Sequence, residues 1–480
     1  MKPPTGSQWR VSIAALVIGA LALPSGLAQA RGESAFTPGS AGLGDSYFPL
    51  FGNGGYDVEH YGLHIRYDPA TDGLVGRARI DAVATKDLSR FNLDFIGLRV
   101  HSLTVDGERA RWARVRGREL VVTPSVEVEE GGDLAVVVRY SGVPKLLGGT
   151  LGQGGVFPTD DGAVIVGQPE VAATWFPVND HPRDKATYTI RLTVPTGLEA
   201  ISNGVLTERS RSGGWSTWTW SHGGAMASYL ATAAIGEFEI RRRTTSYGLP
   251  ILDAVDVKVG AAADRALALE EEVVSFLSRR FGPYPFQTVG GIVEHHDIGF
   301  ALETQTRPVY DYRIFTLFDR VFQDGFVVHE LAHMWYGDEV AVGDWRHIWL
   351  NEGPATYAEW MWHGGHGRDK PREFFAKLCA TPKGDAFWDV KTGDPGPASL
   401  FDFEAVYLRG AMTLEALRRA VGGEAFFDII RTWASDNADG LGSTREFKEL
   451  AERVSGRQLD KLFRNWLFRA AKPPACSSVR

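Results

Sequence analysis

Between Tyr56 and about Glu239, apolar and polar residues alternate in short runs. Tyr56-Asp57-Val58-Glu59-His60-Tyr61 is one such run, and Leu120-Val121-Val122-Thr123 and Leu134-Ala135-Val136-Val137-Val138 are others. A period of two puts one face of a strand in a core and the other toward water. Turn residues such as Asp106-Gly107 and Gly131-Gly132 separate the runs. The pattern predicts an all-β, antiparallel domain over 53–243. Beyond about residue 260 the period becomes helical. Ala261 to Arg280 reads as a helix stopped by Phe281-Gly282-Pro283. Further helical stretches are expected near 319–338, 351–364, 404–421 and 442–469. Residues 244–480 therefore predict a mainly helical domain with a small sheet at its start. The Gly-, Ser- and Ala-rich stretch 31–52 predicts a loose N-terminal segment.

The first thirty residues have a separate logic. Lys2 and Arg10 are followed by a short apolar run, Val11 to Leu23, then Pro24, Gly26 and the small-x-small site Ala28-Gln29-Ala30. This is the pattern of a secretory signal peptide cleaved near Ala30, and the run is too short to cross a bilayer. The expectation is a secreted protein, of bacterial origin, with no stable membrane insertion. Composition agrees with a globular chain: of 480 residues, 44% are hydrophobic and 23% charged, with a net charge of -8. That acidity, which deepens when Lys2 and Arg10 are removed, argues against nucleic acid as a partner. Cys379 and Cys476 could pair, but their spacing does not decide it, and two cysteines cannot build a metal site alone. Nothing in the chain predicts an oligomeric state.

The chemistry concentrates at His329-Glu330-Leu331-Ala332-His333. Residues four apart share a helix face, so both imidazoles can grip one metal ion. Glu330 stands at the same edge, placed to act as general base toward water. Glu352, in Trp349-Leu350-Asn351-Glu352-Gly353, supplies the third ligand if Asn351 caps a second helix packed against the first. Two His and one Glu form a catalytic zinc set, which keeps one position open for water and lowers that water's pKa. One zinc ion is expected.

His-Glu-x-x-His, eighteen intervening residues and then Asn-Glu-Gly resembles the aminopeptidase N family of zinc metallopeptidases, the gluzincins, which also includes the bifunctional leukotriene hydrolases. Trp175-Phe176-Pro177-Val178-Asn179-Asp180-His181-Pro182 with Lys185-Ala186, Met226-Ala227-Ser228-Tyr229-Leu230 and Phe281-Gly282-Pro283-Tyr284-Pro285 resemble further signatures of that family, in the same order. These read as structural signatures without chemistry. The resemblance implies an N-terminal β-sandwich or saddle domain followed by a thermolysin-like zinc metallopeptidase domain. It implies hydrolysis of the N-terminal peptide bond of peptides with a free N-terminus. It implies an amine anchor at Glu303, in Phe300-Ala301-Leu302-Glu303-Thr304, where Phe300 and Thr304 depart from the family's Gly and Asn. It also implies a second amine contact at Gln168, with Glu170 close enough to compete. Val406-Tyr407-Leu408-Arg409-Gly410 resembles the segment whose Tyr donates to the developing oxyanion, which assigns that role to Tyr407; Arg409 could equally be a surface cation.

Glu359, two helical turns after Glu352, is a candidate for orienting a ligand imidazole, and Asp338 and Glu339 are weaker ones. His295-His296 is a possible but superfluous metal pair. The chain stops soon after Trp466, so the closing helical domain of larger family members is expected to be absent and longer peptides tolerated. Two alternatives use the same residues: an endopeptidase or epoxide-type hydrolase with the same zinc, and a non-catalytic scaffold.

Overall fold

The computed structural model describes residues 36–478. The expected signal peptide, 1–30, lies outside the described residues. The first half is β-rich. Its main sheet has eight strands, centred on Tyr56–Asp68, Gly73–Ala84 and Lys185–Pro195. Tyr56–Asp68 shows why: Val58, Tyr61, Leu63, Ile65 and Tyr67 are buried, while Asp57, Glu59, His64 and Arg66 are exposed. Its pairing with Gly73–Ala84 runs antiparallel from Tyr56↔Ala84 to Asp68↔Gly73. The expected antiparallel order has one exception within this sheet, since Lys185–Pro195 runs parallel to Tyr56–Asp68. A four-stranded and a five-stranded sheet complete this half. The five-stranded one carries Ala163–Val166, the strand that leads directly to Gln168.

The second half opens with another five-stranded sheet, formed by Phe238–Thr244, Pro250–Asp256, Ile292–Glu294, Val309–Asp311 and Ala301–Leu302. Its last strand ends one residue before Glu303. Then come the helices. We label them α1 (Glu270–Phe281), α2 (Arg320–Ala332), α3 (Trp349–Gly365), α4 (Pro371–Cys379), α5 (Arg409–Val421), α6 (Gly423–Asp436), α7 (Thr444–Ser455) and α8 (Asp460–Leu467). The stretch read as one helix over 442–469 is two, because Gly456 adopts a left-handed conformation that ends α7. Helix α3 is the axis of this half and is buried nearly all round. It packs against α2 on one side and α5 on the other.

The contact of α3 with α5 is made by glycine. A β-carbon on Gly410 would lie 2.9 Å from the Gly353 Cα, and one on Gly353 would lie 3.0 Å from the Gly410 carbonyl carbon. Only hydrogen fits there, so the two backbones touch. Cys379, at the end of α4, forms a disulfide with Cys476 and ties the C-terminal turn to the helices.

Residues 31–52, expected to be loose, are fixed from Phe36 onward. Thr37–Pro38 pairs with Leu88–Asp94. Asp45 accepts hydrogen bonds from the backbone of Tyr47, Phe48 and Trp345, and lies 3.2 Å from His181 Nε2. The glycines that suggested looseness serve turns: Gly42, Gly44 and Gly52 all have positive φ.

Candidate active site

Helix α2 begins at Asp319, whose side chain accepts from the Val321 and Phe322 N–H groups. Its last turns carry His329, Glu330 and His333, and all three are buried. Helix α3 does not start at Asn351 as expected. Ile348 is the N-cap, after a short 3-10 turn capped by Asp344, and Asn351 lies inside the helix. Glu352 stays in the first turn of α3, facing α2.

His329 Nε2 and His333 Nε2 each lie 3.3 Å from the same Glu352 oxygen, Oε2. The opposite ring nitrogens are committed elsewhere. His329 Nδ1 is 2.6 Å from Glu359 Oε1, and His333 Nδ1 is 2.9 Å from the Tyr336 carbonyl oxygen. With Nδ1–H donated to each of these acceptors, both Nε2 lone pairs turn toward Glu352. Three lone-pair donors aimed at one point repel one another unless a cation or protons lie among them. The groups respond accordingly. Burial alone would lower His333, but Glu352 and Glu303 lift it to about 9. Burial alone would raise Glu352, but His333 and His329 hold it to about 2. A metal cation fits this donor set, and both imidazoles already carry the outer acceptors that metal-bound histidines use. The chemistry of two nitrogens and one carboxylate suits zinc.

Glu330 points into the same space. Burial, with Glu303 and Glu352 nearby, lifts it to about 8 despite the two imidazoles. Glu303 is 2% exposed and accepts a hydrogen bond from the Tyr229 hydroxyl at 3.2 Å. Tyr229 belongs to a segment read from the sequence as purely structural. The structure gives it a polar task instead, a donor from the β half on a carboxylate of the helical half. A lone Tyr in an apolar run carried no signal of this; only the fold brings it to Glu303. Thr304 and Phe300, the two departures, have different places. The Thr304 hydroxyl donates to the Arg307 carbonyl and holds the loop, whereas Phe300 lines the cavity.

Gln168 lines the cavity too, from the β half, and is joined to Pro169 by a cis peptide bond. Its Oε1 is buried and has no partner. Glu170 is engaged elsewhere, 2.5 Å from the Arg118 guanidinium. Tyr407 sits in a π-helical turn, Phe403–Leu408, that runs into α5. Its ring stacks 5.9 Å from that of His329, and burial beside Glu352 lifts its phenol far above the usual range. Arg409 is wholly buried and donates to the Val390 and Arg469 carbonyl oxygens, so it is a structural cation and not a surface one. Asp338 is buried with both carboxylate oxygens unpartnered, while Glu339 lies partly buried beside Lys185. His295 stacks on Tyr312 and His296 lies against Phe157. Among the described residues, neither joins a group able to hold a metal.

The candidate ligands, Glu330, Glu303, Gln168 and Tyr407 all line one cavity of about 730 Å³. Its polar floor holds Glu303, Glu330, His329, His333, Glu352, Gln168 and Tyr407. Its outer wall is apolar, with Leu317 and Phe322 at 73% and 59% exposure. Arg313 is the cavity's one lining cation among the described residues, and it pairs with Asp311.

Known proteins share this arrangement. The model of the Peptidase M1 N-terminal domain matches residues 57–230, and that of the Peptidase family M1 domain matches residues 309–466. Aminopeptidase M1 of Arabidopsis thaliana is 26% identical over 338 residues, 66% of this chain and 38% of that protein. Aminopeptidase N of Streptomyces lividans is 24% identical over 403 residues, covering 78% and 46%. The chain thus spans about half or less of the length of these relatives. It covers nearly all of a solved one. The crystal structure of an M1 zinc metallopeptidase from Deinococcus radiodurans superposes with a TM-score of 0.80 and 28% identity, over 89% of this chain and 97% of that one. Both halves therefore match the same family, in chain order, and the buried His-His-Glu cluster lies where the second half packs on the first: the chain belongs to peptidase family M1, the zinc metallopeptidases.

Proposed function

We propose that the chain is a zinc-dependent aminopeptidase that removes residues from the free N-termini of peptides. The convergence of His329, His333 and Glu352, with a second buried carboxylate, Glu303, lining the same cavity, carries this reading. The two-domain relative from Deinococcus radiodurans supports it, since a mutant form of that protein was crystallised with a Tyr-Ser-Ala substrate. In this proposal residues 1–30 are a signal peptide removed near Ala30, the protein is secreted by a bacterium, and the catalytic domain begins near residue 244. No helix among the described residues is long and apolar enough to cross a membrane.

His329, His333 and Glu352 would hold one zinc ion. Zinc in that place supplies Lewis acidity toward the scissile carbonyl and acidifies the attacking water. The chain's own groups do the rest. Glu303, oriented by Tyr229, and the free Gln168 Oε1 accept hydrogen bonds from the substrate's ammonium group. Glu330 takes the proton of the attacking water and delivers it to the leaving amide nitrogen. The Tyr407 hydroxyl donates to the carbonyl oxygen as it becomes negative. The apolar wall receives the side chains of the peptide and excludes water around the charges.

The test uses an aminoacyl fluorogenic amide beside its N-acetylated form, each with and without a zinc chelator. Cleavage of the free amine alone, lost on chelation, is expected. Equal cleavage of the acetylated substrate would make the chain an endopeptidase and remove the role assigned to Glu303.

A further inference from the structure

A second cavity, of about 800 Å³, shares no lining residue with the first. It lies at the far end of α3, where Met361, Gly364 and Gly365 line it. That is twelve residues along the helix from Glu352, or about 18 Å at 1.5 Å per residue. Its walls come from the carboxyl ends of α1, α3 and α5 and from the amino ends of α4 and α6.

The wall is basic although the protein is acidic. Arg279, Arg280, Lys370 and Arg418 all line it, and among the described residues none of these four cationic side chains forms an ion pair, Lys370 meeting Glu373 only through its backbone N–H. Arg372, Arg419 and Arg431 line it as well, each paired with an acid: Glu373, Glu415 and Asp428. Glu415 is the single acid on the wall. Helix ends do not explain the excess. A cation near a carboxyl end is favourable, each end acting as about half a negative charge. Here the two amino ends offset most of what the three carboxyl ends supply, and several positive charges stay uncompensated.

Two of the guanidinium groups are also held in place. Arg280 lies 3.5 Å over the Phe276 ring and donates to the Phe276 carbonyl oxygen at 2.8 Å. Arg418 donates to the Tyr357 hydroxyl at 3.3 Å and lies over Phe427. Burial, with Arg279 and Arg418 nearby, lowers Arg280 to about 10. Fixed like charges in a concave site cost energy that an anion would relieve. Planar guanidinium forks match the oxygens of phosphate. Nothing lies within 4 Å of where a β-carbon on Gly423 would sit, so the wall is open to close approach there. Helix α6 begins at Gly422–Gly423 with no side-chain cap, so its first N–H groups are free to donate.

We propose that this basic cavity binds a phosphate group, carried by a small organic phosphate or by a lipid headgroup. The cavity exceeds the size of phosphate alone, leaving space for the organic part. The site is separate from the peptidase centre and does not depend on the reading of that centre.

Calorimetric titration of the zinc-loaded protein with adenosine monophosphate, and with adenosine as control, tests the first source. Sedimentation with phosphatidylcholine vesicles, with and without phosphatidic acid, tests the second. Saturable binding of the nucleotide but not of adenosine is expected, or binding only to the phosphatidic acid vesicles if the headgroup is the ligand. Arg279→Ala and Arg418→Ala should each weaken that binding about tenfold, the loss of a charge-assisted contact. Arg279 is exposed, so its variant keeps the fold, and peptide turnover should be unchanged in both. Binding equal in the variants would overturn the proposal. So would the absence of any preference for the phosphate-bearing probes.

Discussion

The cavity assigns different tasks to carboxylates only a few ångströms apart. Glu352 is held to about 2 by two imidazoles, whereas burial lifts Glu330 to about 8. The first suits a permanent anion and the second a group that gains and loses a proton. Glu330→Gln should therefore keep zinc, measured by metal analysis, while kcat falls about a thousandfold. Loss of zinc in that variant would make Glu330 a ligand. Tyr229 acts one step back. Tyr229→Phe removes a hydrogen bond to Glu303 of the charge-assisted kind. KM for a free-amine substrate should rise about tenfold with kcat little changed. An unchanged KM would mean that the Tyr229 hydroxyl does not position Glu303 for the amine. The candidate ligands His329, His333 and Glu352, with Glu330 and Glu303, could be proposed from spacing and resemblance because each lies in a short local pattern, and the fold brings them to one cavity. Tyr229 could not, since its partner lies more than seventy positions away and no local pattern joins them.

At the scale of elements, the site depends on how closely α3 and α5 approach. Gly353 follows Glu352 directly, and Gly410 comes three residues after Tyr407. The same short motifs therefore carry both the chemistry and the contact that aligns it. Gly410→Ala places a methyl group 2.9 Å from the Gly353 Cα, so one helix must move. Tyr407 moves with α5. A displacement approaching 1 Å should lower kcat by about 10- to 100-fold. Zinc content should be unchanged, because His329, His333 and Glu352 belong to α2 and α3. Normal turnover in this variant would show that the approach is not needed to place Tyr407. Helical periodicity located α2 and α3 well but missed their ends. Asn351 looks like a cap in sequence, yet the preceding 3-10 turn, capped by Asp344, starts the helix earlier. The π-turn that presents Tyr407 was equally invisible, because one extra residue per turn leaves no mark on an apolar stretch.

At the scale of the whole molecule, the two halves are joined by a segment that composition alone suggested was loose. Asp45 is its fastening point, touching His181 in the β half and the Trp345 N–H in the helical half. Burial would raise Asp45, but hydrogen bonds from His181, Trp345, Phe48 and Tyr47 hold it to about 2. Its folded value lies below the ordinary 3.8, so its contribution is present in full above about pH 4 and lost as pH falls toward 2. The shift corresponds to about 2 kcal/mol. Glu119, in the β half, has the opposite sign. Burial and Asp94 raise it to about 7 despite Arg118, so its protonated form favours folding. That contribution is lost as pH rises from about 4.5 through 7. The two groups therefore shape opposite limbs of the stability profile, and single substitutions should separate them. Glu119→Gln should lessen the decline between pH 5 and 8, to which the raised Asp180 and Glu170 also contribute, and leave the acid limb alone. Asp45→Asn should cost about 2 kcal/mol at neutral pH, with the deficit shrinking below pH 4 and nearly gone by pH 2. Urea unfolding across that range measures both. An Asp45→Asn deficit that persists unchanged at pH 2 would mean that the segment is held by packing and neutral hydrogen bonds, not by the charge of Asp45.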